Sequence, residues 1–282
     1  MPELPEVETT RRGIEPACLG QTITEVIIRQ RSLRWPIPRG IEQKLKGAVF
    51  NKVGRRAKYL LLELERNIAR NNYATLIIHL GMTGTFRVLK QGTTAKKHDH
   101  IDILLGNNTL LRLRDPRRFG AFLLTTEPIE KHHLLSNLGM EPVLHDYTAE
   151  EVGKHLYTQS RKRKTSIKSL LMDQKIITGV GNIYACESLF LSGIHPKRGC
   201  NRISERHYLT LAEAIISTLT TSIKQGGTTL QDFRNSEGKP GYFQQQLLVY
   251  GRDDESCTKC GAIIYKITQN QRSSWYCPRC QH

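Results

Sequence analysis

Four cysteines near the C-terminus, Cys257-x2-Cys260-x16-Cys277-x2-Cys280, restrict that end of the chain more than any other feature restricts the rest. Two such knuckles bring four thiolates to one point, and four soft sulfurs close a tetrahedral zinc site with no open position for water. Such a site is structural, not catalytic. Its apparent binding free energy, about 10–16 kcal/mol, is enough to fold a segment too short to fold alone. Two disulfides or a redox pair are the competing readings of the spacing. Gln271-Arg272 lies between the knuckles in an expected hairpin, where a basic tip can reach a phosphate or simply be a solvated turn. Cys18, Cys186 and Cys200 are scattered and read as ordinary thiols.

Upstream the hydrophobic period changes twice. From about Ile23 to Leu124 the chain runs through short apolar or alternating stretches such as YLLLEL, TLIIHL, HIDILL and TLLRLR. Turn residues such as Gly106-Asn107-Asn108 separate several of them, which is the pattern of an antiparallel sandwich or barrel. A helix precedes it, over roughly Val7 to Leu19, starting near Pro5, a residue tolerated in a first helical turn. From about Thr148 to Gln225 the pattern is helical. Tyr208, Ala212, Ile215, Leu219 and Ile223 keep the helix period, and Gly226-Gly227 ends that helix. The class expected is α+β: a β-sandwich domain with an N-terminal helix over 1–130, a linker at 131–147, a helical domain over 148–247 and the cysteine module over 248–282. Gly226 to Tyr242 reads as a mobile loop or, equally, a rigid coil.

Lys and Arg number 42 against 26 acidic residues, a net charge of +16, and both halves of the chain are basic. That suits a polyanion lying between them, and nucleic acid is the default, because neutralised phosphates release condensed counterions. A merely soluble basic protein is the bland alternative. The first residues lack the apolar run of a secretory leader, and no stretch is long and apolar enough to suggest a membrane span.

Pro2 follows Met1, and a residue this small permits removal of the initiator, exposing a secondary amine. An α-amino group titrates near about 8, so a useful fraction is neutral and nucleophilic at pH 7. Attack of that nitrogen on a sugar C1′ gives an iminium, whose fixed charge acidifies the C2′ proton and opens a path to β-elimination. Glu3 is placed to pass protons to the opening sugar, and Glu6, one turn on, to hold the amine. Taken alone, acids at this position equally fit a helix N-terminus complementing its dipole.

The run Pro2-Glu3-Leu4-Pro5-Glu6-Val7-Glu8-Thr9 resembles the opening of the formamidopyrimidine-DNA glycosylases, bacterial enzymes that remove oxidised purines such as 8-oxoguanine. The resemblance covers essentially the whole chain. It continues through Arg55 to Leu60, His79 to Gly84, Lys97 to His100, Asp115 to Gly120, Gly179 to Tyr184 and Gly238 to Phe243, and ends at the zinc knuckles. It implies a Schiff-base nucleophile at Pro2, a proton shuttle at Glu3, a β-elimination lysine at Lys58, and δ-elimination with phosphate binding at Arg272. His98, Arg117, Arg163, Lys168 and Asn182 match positions that contact DNA, Asn182 in the first turns of a helix–two-turns–helix element. Met82, Arg117 and Phe119 match a wedge that fills the gap left by an extruded nucleotide. By bare pattern Met82 and Phe119 read as core residues instead.

Two departures stand out. The segment Glu65 to Tyr73 is longer than the family's usual connection, and Arg163 stands where relatives often have lysine. Leu4 and the Asp115–Gly120 motif favour the oxidised-purine enzymes over their sister group, endonuclease VIII, which prefers oxidised pyrimidines. The reading implied is a two-domain monomer with damaged duplex DNA in the basic cleft, bound to no membrane. One structural zinc ion is implied, with no nucleotide or redox cofactor, and the location is the cytoplasm or nucleoid. The reaction is base excision followed by β- and δ-elimination. A zinc-ribbon protein that binds damaged DNA without cutting it is the rival from another class.

Overall fold

The computed structural model describes residues 2–65, 73–143, 147–228 and 247–282. The long 65–73 connection, the Gly238–Phe243 motif and most of the 226–242 loop therefore fall outside the described residues. Two compact units are present: Met1–Ser136 with Gln225–Tyr242, and Asn137–Lys224 with Phe243–His282.

The first unit opens with α1 (Leu4–Cys18), whose Leu4, Val7, Ile14 and Cys18 are buried on one face at helical spacing. It starts at Leu4, beside the Pro5 start expected from sequence. The Glu6 carboxylate reaches back to accept the Glu3 N–H at 2.7 Å, which satisfies a first-turn donor and sets the start at Leu4.

Eight strands then form two antiparallel four-stranded sheets. β1 (Ile23–Ile28), β6 (Asp99–Leu105), β7 (Thr109–Arg114) and β5 (Thr85–Lys90) are neighbours in that order. β2 (Val49–Arg56), β3 (Tyr59–Glu65), β4 (Tyr73–His79) and β8 (Ala121–Thr125) form the other; a one-turn helix, α2 (Ile41–Leu45), precedes them. Alternate residues of both sheets meet in one core, as with Leu60, Leu62 and Leu64 on β3 and Ile101, Ile103 and Leu105 on β6. That is the packing of a sandwich.

A buried ion cluster ties α1 to this sandwich. Glu8 accepts from Arg12 Nε at 2.7 Å, Arg11 Nε at 3.1 Å and Arg55 Nε at 3.0 Å. Arg55, on β2, also donates through Nη1 to the Ala57 carbonyl at 2.9 Å. Ala57 (φ 51°) and Lys58 make the two-residue turn into β3, so the α1 carboxylate braces that turn through one guanidinium.

In the second unit, α3 (Ala149–Arg161) is capped by Thr148, whose Oγ1 accepts the Glu151 N–H while Glu151 accepts the Thr148 N–H. α4 (Ile167–Leu171), α5 (Asn182–Leu191) and α6 (Glu205–Lys224) follow. On α6 Tyr208, Ala212, Ile215 and Leu219 are buried as their spacing predicts. Ile223 is only half-buried; Ser222 takes the inward position and its Oγ lies 2.7 Å from the Tyr184 hydroxyl. Gly139 and Met140, expected in a linker, bond to Gln174 and Ile176 of this unit at 2.8 and 3.1 Å.

β9 (Tyr265–Gln269) and β10 (Arg272–Tyr276) form the hairpin between the knuckles. Asn270 and Gln271 both have positive φ, 47° and 60°, as a tight two-residue hairpin turn requires. Trp275, Ile264 and Val249 pack with Cys186 and Phe190 of α5. The buried Glu187 carboxylate on α5 accepts the N–H groups of Leu248, Val249 and Tyr250 at 2.8–3.0 Å, fastening the chain entering the cysteine module. Among the described residues, no helix is long and apolar enough to cross a membrane.

Burial pushes the Glu8 carboxyl up, but hydrogen bonds from Arg11, Arg12 and Arg55 outweigh it and hold the group below its usual range. Glu8→Ala leaves Arg55 buried without this partner and is expected to cost about 3 kcal/mol at pH 7. A carboxyl whose folded value is lowered stabilises fully above its unfolded pKa, about 4.3, and loses that contribution as pH falls through the lowered value. Urea denaturation of both proteins at pH 7 and pH 3 should therefore show the gap narrowing in acid.

Candidate active site and nucleic-acid interface

Pro2 and Glu3 are buried immediately before the first residue of α1. Glu6 is buried beneath them. Its Oε2 takes the Glu3 N–H, and its Oε1 takes the Thr228 N–H at 2.7 Å. A Cβ on Gly227 would come within 3.0 Å of Glu6 Oε1, and this residue has φ +84°, so only glycine lets the chain pass so close. The sequence signals Glu6 as a support for the N-terminus. Its tie to Thr228, 222 residues away, leaves no local trace.

Lys58 sits on the braced β2–β3 turn, one residue before Tyr59. The Tyr59 ring lies 4.9 Å from that of His79 at the end of β4. His79 accepts the Gly81 N–H through Nδ1 at 3.0 Å, which leaves Nε2 to carry the proton of the neutral ring. Burial, then the positive charges of Lys58 and Arg34, lower the His79 pKa to about 4. A neutral imidazole thus stands in a field of two cations, a histidine that sequence reasoning left unassigned.

Met82 and Phe119 are 37% and 44% exposed, not core residues as their bare pattern suggests. Their loops touch through main chain. A Cβ on Gly81 would lie 2.5 Å from the Phe119 carbonyl carbon, and Gly81 has φ +65°, so the loops approach closely only because residue 81 has no side chain. The Arg117 guanidinium lies 4.8 Å above the Phe119 ring. The three expected wedge residues are therefore brought together on one rim. His98 is partly exposed with φ 73°, and local desolvation followed by the charges of Lys97 and Arg114 holds its imidazole below the usual value.

In the second unit Lys168 is 3% exposed and donates through Nζ to the Ser273 carbonyl at 2.8 Å and Ser274 Oγ at 2.6 Å. Asn182, first residue of α5, donates to the same Ser273 carbonyl at 3.0 Å. Both converge on the residue after Arg272, and Lys168, Asp173 and Arg272 help line a cavity of about 150 Å³. Gly181 caps α5 without a side-chain bond, leaving its first-turn N–H groups to other acceptors. Arg163 bonds elsewhere, to the carbonyl and Oε1 of Gln159 at 2.6 and 3.1 Å.

The four knuckle sulfurs lie within 4.8 Å of one another, and none is in a disulfide. Cys257 and Cys280 are 4.0 Å apart at Sγ, Cys260 and Cys277 3.4 Å. A tetrahedral ion with bonds of about 2.3 Å separates its sulfurs by about 3.8 Å, so the set fits a bound metal. Separations this long rule out the disulfide reading.

Three family models match in order: the formamidopyrimidine-DNA glycosylase N-terminal domain over residues 1–122, the H2TH domain of the same enzymes over 138–234, and a zinc finger shared with isoleucyl-tRNA synthetases over 254–282. The formamidopyrimidine-DNA glycosylase of Marinobacter nauticus is 52% identical over 281 residues, covering all of both chains. The chain belongs to the formamidopyrimidine-DNA glycosylase family. The enzyme of that name from Hydrogenovibrio crunogenus is 50% identical, with 96% of its own length covered. Among solved structures, an engineered single-residue mutant of the Lactococcus lactis family member in complex with Fapy-dG-containing DNA superposes with TM-score 0.89 at 33% identity over the full length of both. The Thermus thermophilus family member gives 0.85 at 34% identity, covering 99% of this chain and 98% of that one.

The electrostatics around Lys58 are open to a direct check. In a histidine NMR titration, His79 should stay neutral down to about pH 4. Lys58→Ala, by removing one of the two neighbouring cations, should move that midpoint upward, whereas an unmoved midpoint would contradict this account of the field.

Proposed function

We propose that this protein excises oxidised purines from duplex DNA in base-excision repair and then cuts the strand, as a monomer acting from the N-terminal nitrogen. The observation that carries the reading is Pro2-Glu3 buried at the head of α1, in a chain matching the family from end to end. Supporting it, the Lactococcus lactis relative is known in complex with Fapy-dG-containing DNA and with abasic-site DNA.

The chemistry starts once Met1 is removed. The Pro2 nitrogen lone pair attacks C1′, the C1′–N bond breaks, and the base leaves with a proton. Glu3 protonates O4′ as the sugar ring opens, giving an iminium between Pro2 and C1′. Loss of the C2′ proton, with Lys58 as the group for this step, expels the 3′ phosphate. A second elimination, with Arg272 at the phosphate, expels the 5′ phosphate. Water then hydrolyses the iminium, restoring the free amine. Met82, Arg117 and Phe119 fill the emptied stack, while His98, Arg163, Lys168 and Asn182 serve the phosphate backbone. Asn182, at the N-terminus of α5, suits a phosphate oxygen. Lys168, buried against Ser273, does so by setting Arg272 in place. Cys257, Cys260, Cys277 and Cys280 hold one zinc ion, which supplies structure alone, since four thiolates leave no site for water.

Borohydride should trap a covalent complex between protein shown by mass spectrometry to lack Met1 and duplex carrying 8-oxoguanine, and Pro2→Gly should greatly reduce it. Reversible binding without trapping would favour the damage-binding rival. Faster excision of thymine glycol than of 8-oxoguanine would move the substrate class to oxidised pyrimidines. Metal analysis should find one zinc per chain, and Cys277→Ser should lose it and shift Trp275 fluorescence toward that of an exposed indole.

A further inference from the structure

The Asp115-Pro-Arg-Arg-Phe-Gly120 motif has a role for its arginine and its phenylalanine but none for its aspartate, which is 0% exposed. A fully buried side chain does not touch DNA. Its bonds, however, lead to the three loops of the first unit that carry His98 and the wedge residues. Asp115 Oδ2 accepts the Gly120 N–H at 2.7 Å, closing the loop that carries Arg117 and Phe119. Asp115 Oδ1 accepts the Thr83 hydroxyl at 3.2 Å, holding the loop that carries Met82. The Asp115 N–H donates to the His98 carbonyl at 3.0 Å. Its own carbonyl lies 2.9 Å from His100 Nε2 and accepts the Arg118 N–H at 3.2 Å.

Each of these loops holds a residue in the left-handed region: Gly81 at φ 65°, His98 at φ 73° and Arg118 at φ 58°. Non-glycine residues persist there only when their surroundings over-determine the backbone. Asp115 supplies that over-determination at the point the loops share. We propose that Asp115 is the positioning residue whose carboxylate locks the Met82 loop to the Arg117–Phe119 loop, so that the wedge enters the duplex already formed. The assignment rests on the wedge reading under Proposed function and adds to it what makes the wedge rigid. A carboxylate suits the position because both partners of its oxygens are donors. Asparagine retains the geometry, its carbonyl taking the Gly120 N–H and its amide donating to the Thr83 hydroxyl, which can turn to accept. Alanine removes both bonds.

The test separates base extrusion from strand cutting. Rates of 8-oxoguanine excision and of cleavage at a preformed abasic site are measured in single turnover for wild type, Asp115→Ala, Asp115→Asn and Thr83→Val. An abasic site has no base to unpair or unstack, so a preformed wedge matters less there. Asp115→Ala should lose about tenfold or more in base excision and less than about threefold in abasic cleavage, with Asp115→Asn restoring most of the loss. Placing the lesion in an unpaired bulge should narrow the deficit. Equal losses on both substrates, or none on either, overturn the proposal. If Asp115→Ala does not fold, Thr83→Val decides: slower excision with unchanged abasic cleavage supports the assignment, and any other pattern overturns it. Wild-type protein unable to cleave abasic DNA would fault the proposed function and not the role of Asp115.

Discussion

The Glu6 carboxylate is the constraint on which the N-terminal site depends. It takes the N–H of Glu3 with one oxygen and the N–H of Thr228 with the other, both at 2.7 Å and both buried. Charge-assisted bonds to main chain in such surroundings contribute about 1.5–3 kcal/mol each. They convert the frayed end of a polypeptide into a fixed point. The first residues of most domains are poorly ordered unless tied down. Glu8, two residues further on, extends the same logic to the Lys58 turn through Arg55. Two carboxylates of one helix therefore organise both the main chain at Glu3 and the turn that carries Lys58.

The second unit solves a different problem. Its hairpin is too small to bury a core of its own, and it is held from several sides: the thiolate cluster, the packing of Trp275 on α5, and the bonds that Lys168 and Asn182 make to Ser273. Those last two place buried donors beside Arg272 and restrain the strand that carries it. Lys168 gives up solvent for this, which a lysine does only with partners for its ammonium group. The Glu187 carboxylate completes the attachment by accepting three consecutive N–H groups, that of buried Val249 among them.

How much of this is legible in the chain divides by range. Leu60, Leu62 and Leu64 announce a strand, Tyr208 to Leu219 a helix, and the cysteine spacing a metal site, because each signal is local and periodic. Pro5 marks the helix start to within a residue, but the Glu6 bond to the Glu3 N–H that caps it is side-chain geometry, which hydrophobic period does not show. Met82 and Phe119 read as core by composition and are exposed, because apolar type alone does not distinguish an interior position from a loop tip. His79, Asp115 and the Glu6–Thr228 tie are invisible for one reason: each acts through partners that only the folded chain brings near. Resemblance assigns Lys168 to the backbone of DNA, and its burial against the hairpin emerges only once both segments are placed.

Gly81 has a consequence for how such a rim can change over evolutionary time. The neighbouring Met82 projects outward, and a different flexible apolar side chain there disturbs nothing behind it. At Gly81 even a methyl group would collide with the Phe119 main chain, whose path could not yield without dragging the opposite loop along. Variation is therefore cheap at the tip and forbidden at its root. Replacements at position 82 can therefore change the exposed tip of this rim, while the close loop approach beneath it requires glycine at position 81.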